Sequence, residues 1–418
     1  MKVILKKVKK NKTIRNSIIN TTSQFLILII TTLFVAYIAR KLNKTELSIF
    51  ALLQIFQSVF ITFTYLGLPS AGIKLIPKLE VEENFSEIAG IVNTILFLPL
   101  IIFLPFLLIM FFLKNGLSML LLKTPDYGNY IVLTGINLIF ILFFDRITLL
   151  LQAFQKFVIL AILNISYYLF QRIFAILFFY QGYGLKSIFF GFLIGGVLST
   201  ILGLFSLKRY LFYKSYNFSV KQLISFSLPY FFQGILRFGF TQIDQVIVSI
   251  FFTPDKLAGY YIAKKIINPF ILIFGAPLQV LIPKLSADKV KGEYNVKKGK
   301  VDRIYYLSSL FIVFLIMLFS KYLLLLVGGR NYLNESFILN LLSIYLFFYV
   351  LFSLVSTDVF ILCEPKALFK LNLFTGIMSA ALTVLFAKYI GISGIVLGQI
   401  GGLLFGFIYV KTKKNNHM

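Results

Sequence analysis

The chain has 418 residues, 59% of them hydrophobic and only 13% charged, with a mean hydropathy of +0.90. Such values exclude a water-soluble enzyme or binding module and describe an integral membrane protein. The net charge of +26 would point to nucleic acid in a soluble protein, but here its distribution across a membrane matters more than its sum, and no nucleic-acid partner is expected.

Hydrophobic runs of about twenty residues, separated by short Gly-, Pro-, Asn- or Lys-bearing loops, predict helices rather than the alternating ten-residue strands of a barrel. Twelve such runs can be traced. The lysine-rich start leads into a run of full spanning length without a small-residue cleavage site, so the first run is expected to remain as a span. That span covers 18–39 and aligns Asn16, Asn20, Gln24 and Thr31. The second, 47–68, aligns Gln54, Ser58, Thr62 and Tyr65 and ends in the loop-prone GLPSAG, followed by a mixed-charge loop over 74–87. The third contains Pro99 and Pro105. The fourth, 130–151, carries Asn137, Asp145, Thr148 and Gln152, with Arg146 beside Asp145 near its cytoplasmic end, where both are expected to reach the interface. The fifth, 157–180, carries Asn164, Tyr168 and Arg172, and the sixth is punctuated by Gly191, Gly195 and Gly196 for close helix approach.

A basic connector, 208–221, leads into a second half that repeats this plan. IPKL occurs at 76–79 and at 282–285, an offset of 206, and Gly184, Gly191 and Gly195 have counterparts Gly391, Gly398 and Gly402, an offset of 207. A duplicated six-helix unit is expected, with lobes 1–210 and 211–418 related by a pseudo-two-fold axis along the membrane normal. Along this topology 26 of the 41 Lys and Arg fall on the side of the N-terminus, 10 on the other side and 5 within the membrane. The positive-inside rule then predicts cytoplasmic N- and C-termini in a multi-pass cell-membrane protein. The longest loop is expected over 284–303.

The stretch 223–285 reads as a transmembrane hairpin around TPDK. Gln233, Arg237, Thr241 and Asp244 lie at helical spacing on its first arm, and Tyr260, Lys264 and Asn268 on its second. Asp244 lies nine residues before Thr253 and Lys265 nine after Lys256, so closing the hairpin brings the carboxylate level with Lys264 and Lys265. An interhelical ion pair and contact with a ligand are both open for that group, and they can coexist. Arg237 shows no evident partner and is the first candidate for cargo contact; Arg172, near mid-span, is the next. Asp358, near a helix end, reads as structural. The five intramembrane cations, Arg146, Arg172, Arg237, Lys264 and Lys265, outnumber the carboxylates Asp145, Asp244 and Asp358. That excess suits an anionic cargo such as a phosphate or diphosphate.

Neither a nucleotide-binding glycine loop nor an HExxH or Cys/His constellation is present, and the lone Cys363 excludes an internal disulfide. No catalytic residue, metal or cofactor is expected, so the chain reads as a transporter and not an enzyme. A membrane glycan polymerase or glycosyltransferase would need a sizeable extramembrane loop with acidic or histidine groups. A non-catalytic scaffold would have no use for polar stripes.

In order along the chain, IARKL at 38–42, YLGLPSAG at 65–72, LISFSLPY at 223–230, IDQ at 243–245 and AGYYIAKKI at 258–266 carry a resemblance. The sequence resembles the polysaccharide biosynthesis or oligosaccharide-lipid flippases, the O-antigen flippase type, of the multidrug/oligosaccharidyl-lipid/polysaccharide exporter superfamily. It departs at Tyr65, where that family often has an acidic residue, and at Ser48, where glycine is common. The resemblance implies two six-helix lobes around a central cationic cavity that opens alternately to each side. It also implies a lipid-linked oligosaccharide, carried on a polyprenyl or dolichyl pyrophosphate, as cargo. Arg237, Lys264, Lys265 and Arg172 would then hold the diphosphate, with Asp244, Gln233 and Asn268 beside them, and glycosyltransferases or a polymerase of the same pathway would be partners together with membrane lipids. A drug or small-cation antiporter of the same superfamily is the alternative, which predicts acidic lumen residues instead.

Overall fold

The computed structural model describes the backbone over residues 12–122, 124–211, 219–290, 292–363 and 365–415. It is all-helical, with no strand among those residues. The helices are α1 (Lys12–Lys41), α2 (Lys44–Tyr65), α3 (Leu68–Val81), α4 (Phe85–Phe112), α5 (Lys114–Leu122), α6 (Gly128–Ala153), α7 (Phe157–Tyr180) and α8 (Lys186–Leu211). They continue as α9 (Val220–Phe251), α10 (Pro254–Val290), α11 (Tyr294–Leu318) and α12 (Ser320–Val327), and after a 3-10 turn at Arg330–Glu335 as α13 (Ser336–Leu362), α14 (Pro365–Ile390) and α15 (Ile392–Asn415). Eleven of the described helices are long and apolar enough to cross a bilayer. α9, the remaining span of the twelve read from the sequence, is a continuous helix of 32 residues whose described apolar part is Gln242–Phe251.

The protein is a multi-pass membrane protein, and its outward faces say why. On α11 the side chains of Ile304, Leu307, Phe311, Phe314 and Leu318 recur every three or four residues and all are well exposed. Such a stripe would be an aggregation surface in water and is a lipid-facing surface in a bilayer.

The chain forms two compact units, one of residues up to Phe34 with Leu52–Ile235, the other of Val35–Ala51 with residues from Leu236 onward. Three helices are therefore divided: α1 after Phe34, α2 after Ala51 and α9 after Ile235. Each unit shows the same local devices. α4 breaks at Leu113 (φ −101°, ψ 19°) and α11 at Phe319 (φ −102°, ψ 13°), two positions 206 residues apart. The glycines act alike as well. A Cβ on Gly191 or Gly195 would lie 2.2 Å or 2.4 Å from the backbone nitrogens of Ala175 and Gln171, so α8 touches α7 backbone to backbone. In the other unit a Cβ on Gly398 or Gly402 would meet Thr383 Cα or Ser379 Cα at 2.4 Å, which joins α15 to α14 in the same way.

Several sequence expectations are corrected. The GLPSAG patch and the loop expected over 74–87 are mostly the helix α3, because Gly67 turns in the left-handed region (φ 68°) and Pro69 pre-sets the first helical turn that follows. The stretch expected as a loop over 284–303 is mostly helix, with α10 running to Val290 and α11 starting at Tyr294, and ion pairs one turn apart, Lys297 with Glu293 and Lys298 with Asp302, carry α11 through the charged residues. Arg40, in the IARKL motif, reaches across to α12: its Nη2 donates to the carbonyls of Leu326 at 2.6 Å and Leu325 at 3.3 Å. It thereby satisfies the last turn of α12 and places a cation at the negative end of that helix.

Valine at Gly195 or Gly402 is expected to force its helix pair apart and to destabilise the protein by about 2–3 kcal/mol. Gly275→Ala, where no heavy atom lies within 4 Å of the added carbon, should be neutral or slightly stabilising. Thermal unfolding of the detergent-solubilised variants checks this, and equal midpoints for all three would show that these helices do not meet at the glycines.

Candidate functional site

The polar interior of the second unit is organised on Asp244. Its side chain, on α9, is fully buried, and two donors from α10 make three contacts with it. Tyr260 Oη donates to Oδ2 at 2.6 Å, and Lys264 Nζ lies 2.6 Å from Oδ1 and 2.7 Å from Oδ2. The sequence spacing produces this directly. Tyr260 and Lys264 are one turn apart and share a face, and the four-residue hairpin brings that face to Asp244. Lys265, one residue on and about 100° round the helix, diverges: its Nζ lies 4.9 Å from the centroid of the Tyr261 ring. Of the two lysines expected beside Asp244, the structure therefore brings Lys264 to it and sends Lys265 to an aromatic face. Asn268, the third member of the stripe, is half-buried. Gln233, Arg237 and Thr241 lie on the helical backbone of α9, but their side chains are outside the described residues.

A second pairing in this unit was not foreseen. Lys298, assigned by the sequence to a loop, has a side chain only 5% exposed and pairs with both Asp302 and Asp358. Its Nζ lies 2.9 Å from Asp358 Oδ1, which also accepts from Tyr294 Oη at 2.7 Å. This cluster pins α11 to α13 and borders a cavity of about 320 Å³ that is otherwise lined by Arg303, Tyr306, Leu351, Leu354, Val355 and Phe407. The signal that could have revealed it is the one-turn spacing of Lys298 and Asp302.

In the first unit Arg172, on α7, is buried with its guanidinium over three rings. Its Cζ lies 4.7 Å from the ring centroid of Tyr168, 5.0 Å from Phe192 and 5.6 Å from Phe34, and Nη1 donates to Gln171 Oε1 at 2.6 Å. Such a cage offsets part of the desolvation of a charge that never loses its proton. Of Asp145 and Arg146, expected to reach the interface, the Arg146 side chain is 0% exposed and Asp145 40%. Arg146 is drawn inward by its bond to Asp145 Oδ2 at 2.6 Å and by the Tyr65 ring, whose centroid lies 5.2 Å from Cζ. Two of the sequence motifs also meet here. A Cβ on Gly67 would lie 2.1 Å from the Ser227 carbonyl oxygen, and Lys74 Nζ lies 5.3 Å from the Tyr230 ring centroid, so YLGLPSAG packs on LISFSLPY within one unit.

Among the described residues no group of three or more His, Cys, Asp or Glu could hold a metal.

A model of a family described as polysaccharide biosynthesis protein matches residues 13–288. No curated protein matches the chain in sequence. Among solved structures, an inward-facing multidrug resistance MATE transporter of the MOP superfamily is similar with a TM-score of 0.76 and 15% identity, covering 95% of this chain and 98% of that one. The lipid II flippase MurJ, in an inward closed conformation, is similar with a TM-score of 0.73 and 18% identity, covering 96% and 87%. An outward-facing MATE transporter is similar with a TM-score of 0.65 and 13% identity, covering 96% of each chain. At these identities the likeness concerns the fold.

Replacing Lys264 by Met strands a buried carboxylate and is expected to destabilise the protein by about 3–5 kcal/mol. The double variant Lys264→Met, Asp244→Leu should recover most of that loss, since an apolar pair has no charge to leave unmatched. Unfolding midpoints of the single and double variants in detergent measure this, and a double variant no more stable than the single one would mean that the pair is not what holds α9 to α10.

Proposed function

Because the chain belongs to the polysaccharide biosynthesis protein family, we propose that it is a flippase for lipid-linked oligosaccharides. It moves a glycan on a polyprenyl or dolichyl diphosphate from the cytoplasmic to the outer leaflet by alternating access, for cell-surface polysaccharide assembly. The protein acts in the cell membrane with both termini cytoplasmic, as a transporter rather than an enzyme. It works beside the glycosyltransferases or polymerase that make and use its cargo.

The observation that carries this reading is how the intramembrane charges are spent. Asp145 holds Arg146 and Asp244 holds Lys264 within their own units, while Arg172 and Lys265 rest on aromatic rings. A carrier of cations needs a carboxylate free to take cargo or coupling ion, whereas a carrier of diphosphates needs surplus positive charge. Arg237, Lys265 and Arg172 supply that surplus, and the Asp244–Lys264 pair with Gln233 and Asn268 orients the cargo.

The second reading, a drug or small-cation antiporter, draws on the likeness in fold to multidrug transporters. The two separate in one experiment. In cells that depend on this protein for surface glycan, Arg237→Ala should reduce exported glycan at least about tenfold, the scale of losing one charge-assisted contact, with the amount of protein in the membrane unchanged. Full export by that variant rejects the cargo site. Intact export together with heightened drug sensitivity in cells lacking the protein would favour the antiporter.

A further inference from the structure

Arg146 is the largest fully buried side chain among the described residues. Only one edge of its guanidinium is used. Nη1 donates to Asp145, but Nε and Nη2 are buried with no hydrogen-bond partner among the described residues. Nε and Nη2 are not an arbitrary pair of atoms. They form the side-on edge of the guanidinium, two parallel N–H donors at the spacing of two oxygens of a phosphoryl group. An arginine kept only for structure would place both edges on the protein, because an unmade bond to a permanent charge is costly in a dry interior.

The surroundings show how this edge is covered and how it can be uncovered. Tyr65 lays its ring near the guanidinium and pairs its hydroxyl with Ser70 Oγ at 2.8 Å, while Nε and Nη2 find no acceptor among the described residues. The chain after Tyr65 is no longer helix. Leu66 and Gly67 both adopt left-handed backbone (φ 49° and 68°), which is strained for a leucine. The wall over Arg146 is thus hinged on a strained two-residue turn. On the other side Asp145 is the less buried member of the pair, 40% exposed.

We infer that the side-on edge of Arg146 is a phosphoryl-binding subsite, capped here by the Tyr65 ring and opened when the Leu66–Gly67 turn shifts, with Asp145 as the carboxylate that holds the guanidinium in place until then. The subsite rests on the flippase reading for its physiological ligand, one phosphoryl group of a lipid diphosphate. The same chemistry would recognise free pyrophosphate. No covalent step is involved: the phosphoryl oxygens accept two N–H bonds that the protein leaves unmade.

The test is equilibrium binding to the full-length protein in nanodiscs, with geranylgeranyl diphosphate, geranylgeraniol and inorganic pyrophosphate as probes. The wild type should bind the lipid diphosphate saturably and the alcohol at least tenfold more weakly. Arg146→Lys keeps the charge and loses the fork, so it should weaken diphosphate binding about tenfold or more. Asp145→Asn removes the negative charge beside the guanidinium, which repels an incoming anion, and should tighten it about threefold or more; if Arg146→Lys fails to fold, this variant alone decides. Unchanged affinity in Arg146→Lys, or an affinity in Asp145→Asn that is no tighter than wild type, overturns the subsite and leaves the flippase reading standing. Failure of the wild type to bind any diphosphate overturns both. Pyrophosphate that binds as tightly as the lipid, with the same dependence on Arg146, supports the subsite and assigns it to the free anion.

Discussion

A charged side chain in the hydrocarbon of a membrane costs at least roughly 2.5–3.5 kcal/mol on the insertion scale, and more where it has neither water nor partner. Each unit of this protein meets that constraint from its own residues, and the solutions fix which helices must touch. Asp244 binds α9 to α10 through Lys264 and Tyr260. Lys298 binds α11 to α13 through Asp358. Arg172 rests on rings from α1, α7 and α8, so its charge is accommodated by aromatic surface from three helices. Polar groups therefore set the register of helices whose apolar faces, rich in Leu, Ile and Phe, would pack almost equally well in many registers.

The scaffold is repeated along the sequence, but the charges are not. Helix breaks and glycine contacts recur 206 or 207 residues apart, whereas at those offsets Arg172 corresponds to Ser379, Arg146 to Ser353 and Lys264 to Ser58. Ser379 shows what the repeat demands at its position: it is the residue met by Gly402 where α14 and α15 touch. Backbone geometry is what the two halves share, and each half has placed its own charges on it.

Much of this was legible in the sequence, and the failures have a common cause. Runs of twenty apolar residues are read correctly because a bilayer demands them, and the Asp244–Lys264 pair is read correctly because hairpin depth can be counted in residues. Glycine spacing also carried through, since only glycine permits the backbone contacts at Gly195 and Gly402. What failed was the assumption that charged or Gly/Pro-bearing stretches are loops at an interface. Residues 74–81 and 294–303 are helical because one-turn ion pairs and a well-placed Pro69 support helix where hydropathy falls. The burial of Arg146 was not legible either: it is set by Asp145 and by Tyr65, a residue some eighty positions away that no local pattern connects to it.

The helical architecture itself does not choose a cargo, since a multidrug transporter and a lipid flippase resemble it about equally well in fold. Selection must lie in the side chains the scaffold carries, and here sign matters more than shape. A carboxylate that already holds a lysine or arginine offers little to a cationic drug, because binding the drug would release a buried cation with no acceptor. An arginine with an unmade edge has the opposite property: an incoming anion completes its bonds without displacing any. The energy of recognition then comes from donors that the folded protein leaves unsatisfied, so the same incompleteness that costs stability in the empty protein favours the loaded one.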